Sequence, residues 1–291
     1  MPEDVRTCTL CGSDRSAQFD HRSFRGKKVT NRICLECGLV YQSPRMTEAE
    51  AEAFYMEEYR LLYEGSVDPT VRNIIAQRAR AESLAVFVQP VIEKLSRHLD
   101  IGCSIGILMQ RFQKEFYTQP VGIEPGEAHR DQARKEGLTV YASLEELESH
   151  EKNRFDLVSM AHVLEHLPDP VGYLAHLREV LLELDSWLLL EVPNLYAHDS
   201  FEVAHLYAFS PHTLHEVLRK SGFEIVKFEK HGRPNSTLLP LFLTVLCHPA
   251  QLTDPRPIQR ERGVVLKRHI GMLRRRILAK LFPQRAWLAR E

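Results

Sequence analysis

The chain has 291 residues, 44% of them hydrophobic and 26% charged, with a formal net charge of −1. These values are ordinary for a globular protein with a full core, and no apolar run approaches the ~18 residues that a membrane span needs. The start, Met1-Pro2-Glu3-Asp4, lacks a secretory profile, and between Arg256 and Arg290 eleven Lys or Arg face one acid, Glu261; a cytoplasmic protein is expected, its basic character confined to a tail, without a whole-protein nucleic-acid footprint.

From the N-terminus, four of the six cysteines fall as Cys8-x-x-Cys11 and Cys34-x-x-Cys37, each pair followed by a glycine, Gly12 or Gly38. Two such turns can close a tetrahedron of thiolates around Zn²⁺, and the stretch between them has room for a hairpin. Two disulfides are the competing arrangement, disfavoured because nothing points to secretion. Residues 1–44 are thus expected to be a module that needs zinc to fold. Cys103 and Cys247 stand alone and suit packing.

Residues 45–90 read as a helical lid or linker. Thr47 to Glu50 is a capping box opening a helix through Phe54, Tyr55 and Tyr59, and a second helix runs from Val71 to Leu95 with a break near Pro90.

Residues 91–250 alternate strand and helix as βαβ units require, with strands expected at His98–Ile101, Pro120–Glu124, Leu138–Tyr141, Phe155–Met160 and Trp187–Val192. Asp100 to Gly106 is the glycine turn after the first strand, and a helix follows from Ile105 to Phe116. A dinucleotide fingerprint would want glycines where Ser104 and Ile107 stand. Asp100 would repel a pyrophosphate but suits an ammonium or sulfonium, and S-adenosylmethionine carries both. Glu124, at the end of the second strand, is placed to bind ribose hydroxyls. Either acid alone could simply cap a neighbouring helix; the pair, in that order and at that spacing, favours a cofactor. Asp169-Pro170 opens a helix with Val171, Leu174, Leu177, Leu181 and Leu184 on one face. Ser210-Pro211 opens another that ends at Gly222, followed by a strand, Phe223–Phe228, and an apolar run, Leu238 to Leu246.

In the tail, 251–291, Leu266, Ile270, Leu273, Ile277 and Leu281 recur at helical spacing among Lys267, Arg268, Arg274, Arg275, Arg276 and Lys280. Such a helix can lie on anionic lipid, giving peripheral membrane contact, or dock on the protein's own acidic body. Gly271 argues against an unbroken helix.

Three segments, Asp100–Gly106, Gly122-Ile123-Glu124 and Phe155–Pro170, resemble successive motifs of the class I S-adenosylmethionine-dependent methyltransferases. The resemblance covers about residues 90 to 235. It implies an α/β fold, a Rossmann-like seven-stranded sheet with helices on both faces whose last two strands pair antiparallel, beside the zinc-ribbon module and the helical tail. It also implies S-adenosylmethionine bound by Asp100, Gly102, Cys103, Gly106, Glu124, Pro125, Ser143, Leu144, Ala161 and His162. The run from Cys34 to Tyr63 is similar to the zinc-binding segment ahead of methyltransferase domains in bacterial sugar and natural-product pathways, where a tyrosine can close over the cofactor; Tyr59 is the candidate here, with plain packing as the alternative.

For the chemistry, histidine is the usual base near neutral pH, and His162, His166 and His205 fall near the expected cofactor mouth. His205 is the expected base, with His166 orienting the acceptor or a water. Sugar C-methyltransferases carry a Tyr-His-Glu-His-Leu run that this chain resembles at His205-Leu206, but Glu202 and Val203 replace its tyrosine and first histidine. O-methylation of a small sugar, surface-glycan or natural-product intermediate, free or lipid-linked, is favoured instead. Glu165-His166 also resembles a divalent-ion sequence of ubiquinone-pathway and small-RNA O-methyltransferases. His162 replaces the glutamate expected three residues earlier, so His162, Glu165, His166 and His205 would suit a softer ion than Mg²⁺. An RNA methyltransferase is the alternative, weakened because residues 1–44 offer mainly Phe19, Phe24 and Tyr41 for base stacking.

Overall fold

The computed structural model describes residues 2–251 and 256–288, so parts of the tail, 252–255 and 289–291, lie outside the described residues. Two sheets organise the molecule. The larger has seven strands: β4 (Arg97–Ile101), β5 (Gln119–Ile123), β6 (Thr139–Tyr141), β7 (Phe155–Ala161), β8 (Leu182–Pro193), β10 (Phe223–His231) and β11 (Phe242–Pro249). Their order is β10-β11-β8-β7-β4-β5-β6, with β4 paired parallel to both β5 and β7, and β11 antiparallel to β8 and β10. Strand order reverses at β4, and this switch point leaves a crevice at the carboxyl ends of the strands. β4 and β7 are almost wholly buried, because helices cover both faces of a parallel sheet.

Helices α3 (Val71–Val88) and α4 (Ile107–Phe116) cover one face, joining Leu84, Phe87, Phe112 and Phe116 in one apolar cluster with Leu157 and Leu189 of the sheet. The crossovers from β5 to β8 carry α5 (Glu127–Lys135), α6 (Leu144–His150) and α7 (Pro170–His176), and α8 (Pro211–Lys220) precedes β10. As expected, Asp169 caps α7 through the Gly172 amide, and Ser210 caps α8 through that of Thr213.

Several boundaries differ from expectation. The helix that starts at Val71 ends at Val88, ahead of Pro90, and α4 begins at Ile107 because Gly106, at φ 79°, is its cap. α7 continues through a π-helical turn to Leu181 and stops there, so Leu184 sits in β8, exposed, rather than on the helix face. The apolar run from Leu238 forms a strand only from Phe242 onward.

The N-terminal residues form the second sheet, β1 (Ser16–Phe24), β2 (Lys27–Cys34) and β3 (Val40–Gln42), completed by β9 (Tyr207–Ala208) from far along the chain. Val40 pairs with Ala208 and Tyr41 with Tyr207. Leu10, Leu39 and Tyr41 share one buried core with Leu206, Phe209 and Leu214, so this sheet is built onto the larger one. The sulfurs of Cys8, Cys11, Cys34 and Cys37 lie within 4.8 Å of one another, with Cys8 to Cys37 at 3.6 Å and Cys11 to Cys34 at 3.5 Å. Four thiolates around a tetrahedral Zn²⁺ at about 2.3 Å would stand about 3.8 Å apart. All four are free thiols, as are the buried Cys103 and Cys247.

After Thr47, whose capping box with Glu50 forms as expected, α1 (Glu48–Ala53) passes through a π-helical turn into α2 (Tyr59–Glu64). The tail forms an unbroken helix, α9 (Val264–Leu281), and a short α10 (Pro283–Ala286). Gly271 does not interrupt α9; a Cβ there would lie 1.9 Å from the Tyr196 carbonyl oxygen, so glycine is what allows the helix to lie on the loop after β8. Among the described residues no helix is long and apolar enough to cross a membrane.

Docking reverses the usual sign of one substitution. Gly271→Ala would stabilise a free helix by about 1 kcal/mol, but against Tyr196 it should cost about 1–3 kcal/mol. Urea unfolding of the variant measures the difference, and a gain in stability would mean that α9 is not held on this loop.

Candidate active site

The crevice at the switch point is a cavity of about 710 Å³. Its floor is the β4–α4 turn. Gly102 (φ 75°) and Gly106 (φ 79°) are required there, since a Cβ would fall 2.6 Å from Val163 Cγ2 or 2.1 Å from Leu138 Cδ1. Ser104 takes the same left-handed region, φ 53°, with the strain that a side chain normally avoids.

Two carboxylates face this turn. Asp100, at the end of β4, accepts from the Ser159 hydroxyl at 2.6 Å, and His98 Nε2 lies 2.8 Å from the same hydroxyl. Burial pushes the Asp100 carboxyl up to about 7, which prepares it to gain from a cationic ligand. Glu124, after β5, accepts from the amides of Ser104 (3.0 Å) and Gly126 (2.8 Å) and from Arg60 Nη2 (3.2 Å).

Of the expected cofactor residues, Tyr59, Asp100, Gly102, Cys103, Glu124, Pro125, Ala161 and His162 line the cavity. Gly106, Ser143 and Leu144 do not. Gly106 packs on Leu138, the Ser143 hydroxyl is engaged in capping α6 through the Glu146 amide, and Leu144 packs against the main core. Tyr59 lines the cavity and packs on Tyr55 and Tyr63, at ring distances of 5.2 and 4.8 Å. Sequence reasoning missed Tyr55, Arg60, Gln77 and Arg80, lining residues that come from the helices ahead of the sheet. Their only signal is helical phase, which does not reveal which face meets a remote sheet.

Directly after β7, His162 (φ 58°) is held between two buried carboxylates, with Nδ1 3.3 Å from Glu165 and Nε2 3.3 Å from Glu191. Desolvation opposes its charge, but the two carboxylates outweigh it and raise the imidazole's pKa. Burial would raise Glu165, and its partner His162 instead brings it down to about 2. Even so, neither Glu165 oxygen makes a well-formed hydrogen bond. His166 Nδ1–H donates to the Ala204 carbonyl at 2.9 Å, with the Tyr55 hydroxyl 3.0 Å away, and His205 Nδ1–H donates to the Ser200 carbonyl at 2.8 Å. Each ring therefore keeps a lone pair on Nε2. Burial lowers both, His205 to about 4, so they are neutral near pH 7.

The two rings lie 4.8 Å apart, and Glu165, His166 and His205 bring one ligand atom each within 4.8 Å of the others. His162, expected in that set, meets Glu165 through Nδ1 and Glu191 through Nε2, so both its ring nitrogens are engaged and it falls outside the group. His166 lines the cavity and His205 stands one ring beyond the wall. The loop holding His205 is pinned from both sides, since Leu206 donates its amide to the Glu165 carbonyl and accepts from that of Gln42 at the end of β3.

A family model described as a methyltransferase domain matches residues 74–227, more than half of the chain. The ubiquinone biosynthesis O-methyltransferase of Hahella chejuensis is 38% identical over 86 residues, 27% of this chain and 36% of that protein. The chain spans 36% to 58% of the length of the curated relatives it matches. Among solved structures, 1,6-didemethyltoxoflavin-N1-methyltransferase of Burkholderia thailandensis, with bound 1,6-didemethyltoxoflavin and S-adenosylhomocysteine, matches with a TM-score of 0.55 at 18% identity, over 80% of this chain and 100% of that one. Magnesium protoporphyrin IX methyltransferase of Synechocystis PCC 6803, with bound S-adenosylmethionine, matches at 0.50 and 16% identity, over 70% and 100%. At such identities the likeness is one of fold.

Asp100→Ala and Glu124→Ala should each remove a charge-assisted hydrogen bond of about 1.5 to 3 kcal/mol, weakening S-adenosylmethionine binding about 10- to 150-fold. Calorimetry of both variants checks this; wild-type affinity in the pair would remove the cofactor from this crevice.

Proposed function

The chain belongs to the methyltransferase-domain family, and from that premise we propose that it moves a methyl group from S-adenosylmethionine to an oxygen of a small-molecule acceptor. We place the acceptor among sugar, surface-glycan or natural-product intermediates, and the reaction in the cytoplasm, where six unpaired cysteines stay reduced. When bound, the cofactor supplies an activated methyl on a sulfonium. The chain's own residues must then orient the acceptor and take its proton.

The observation that carries this reading is the pair of neutral imidazoles, His166 and His205, with carbonyl-fixed tautomers and rings 4.8 Å apart at the cavity. The base role moves from His205 to His166, because His166 is the one on the wall. His205 packs against it and holds it in place. Tyr55 and Tyr59 pack edge-on against the His166 ring, at 6.0 and 6.1 Å, and line the cavity beside it.

His166→Ala should lose 10²- to 10⁴-fold in turnover, about 3 to 5 kcal/mol, with cofactor affinity unchanged, and His205→Ala should lose less. Because burial lowers His166, the free base persists as pH falls, so with S-adenosylmethionine saturating, where titration of Asp100 does not limit, wild-type kcat/KM for the acceptor should hold its level down to about 6.5, the ordinary imidazole value. Retention of more than about a tenth of turnover in His166→Ala would leave positioning as the main source of rate.

A second reading rests on Glu165, which meets His162 at 3.3 Å but has no well-formed hydrogen bond at either oxygen. With His166 and His205, Glu165 offers a carboxylate and two imidazoles to one divalent cation, which would draw charge from an acceptor oxygen. Turnover that vanishes on chelation and returns with a divalent ion would favour this reading over the metal-free base.

We further propose that Cys8, Cys11, Cys34 and Cys37 hold one structural Zn²⁺. Through β3 and β9 that site supports the loop of His205, so its loss reaches the acceptor side first. Cys34→Ser should lose its zinc and most of its turnover while still binding S-adenosylmethionine. Metal analysis decides the matter: full zinc occupancy in the variant, or none in the wild type, removes the site.

A further inference from the structure

α9 is held by one face only. Arg268, which is buried, donates to the carbonyls of Leu195 and His198 and to Asp199, and Arg275 donates to the Ala197 carbonyl at 3.1 Å. With Gly271 against Tyr196, these residues recur every three or four positions and form the docked side. Both arginines have the spacing of a basic rim, yet they are engaged by backbone carbonyls.

At 100° per residue, the opposite side of the helix carries Leu266, Ile270, Leu273, Ile277 and Leu281. All five are between 48% and 64% exposed. An apolar stripe of this length facing away from the body is unusual on a soluble chain and marks an interaction surface. The same helical phase puts Arg274 along one border and Arg276 and Lys280 along the other, all three exposed. No Asp or Glu occurs from Arg262 to Leu288. The exposed rings of Phe282 and Trp287 follow the stripe.

We propose that α9 seats the protein on an anionic phospholipid surface, with its apolar stripe among the acyl chains and its flanking cations at the headgroups. Charge decides between the candidate occupants. A second copy of the helix would bring two cationic borders together with no carboxylate to offset them, whereas an anionic bilayer complements both borders at once. The helix is fastened to Leu195–Asp199, the segment that leads into the His205 loop, so the membrane contact lies next to the acceptor side of the crevice. It also stays in place without lipid, so seating costs little ordering.

Sedimentation of the full chain with phosphatidylcholine vesicles, with and without phosphatidylglycerol, tests this. Deleting the tail would also remove Glu261, which binds Ser210 and Tyr196, so point variants are the cleaner probe. The wild type should bind the anionic vesicles only, and lose them at about 0.5 M salt, where screening shortens to a few ångström. Ile270→Ser/Ile277→Ser should weaken partitioning at least tenfold. Arg276→Ala/Lys280→Ala should weaken it about 25-fold, about fivefold for each cation lost. Unchanged unfolding midpoints would show that both variants fold. Binding equal to wild type in either variant, equal binding to neutral vesicles, or none at all would overturn the proposal. So would a wild-type dimer that Ile270→Ser/Ile277→Ser dissociates, which would make the stripe a self-interface.

Discussion

Four carboxylates, Asp100, Glu124, Glu165 and Glu191, are buried side by side at the carboxyl edge of the large sheet. A buried charge without a partner costs several kcal/mol, so each must be answered by a neighbour, and those answers organise the crevice. Asp100 takes the Ser159 hydroxyl, and burial raises its pKa to about 7. Glu124 draws the amides of the turn and, from α2, Arg60. Glu191 collects His162, His231, Thr244 and, from α3, Arg80. Helices α2 and α3 are therefore tied to the sheet by buried acids, Glu124 on the crevice wall and Glu191 behind it. Of the four, Glu165 is answered by His162 at 3.3 Å and keeps both oxygens without a well-formed hydrogen bond.

The second organising contact is the pairing of β3 with β9. Two residues of strand would be worth little alone, but they sit between the four-cysteine cluster and the His205 loop and share one core with both. The amino-terminal sheet thus serves as a buttress for the acceptor side. Lid and buttress are also linked, since Tyr63 of α2 accepts from the Ala204 amide and stacks on Phe24 of β1. A ligand that moves the lid would be felt at His166 through Tyr55, whose hydroxyl touches that ring.

Local chemistry was legible in the chain: the Cys-x-x-Cys turns, the glycine turn with Asp100, the acid after β5, the caps at Thr47, Asp169 and Ser210, and the periodicity of α9. Each depends on residues within about one turn or one strand of each other, where spacing alone dictates which side chains converge. Tertiary structure decided the rest. It put His166 rather than His205 on the wall, set His162 between Glu165 and Glu191, used Arg268 and Arg275 to bind backbone carbonyls, and explained Gly271 by the approach of Tyr196. It also closed the helix after Asp169 at Leu181, sending Leu184 into β8. These outcomes follow from contacts between segments tens to hundreds of residues apart, and helical or strand phase specifies which residues share a face without specifying what that face meets.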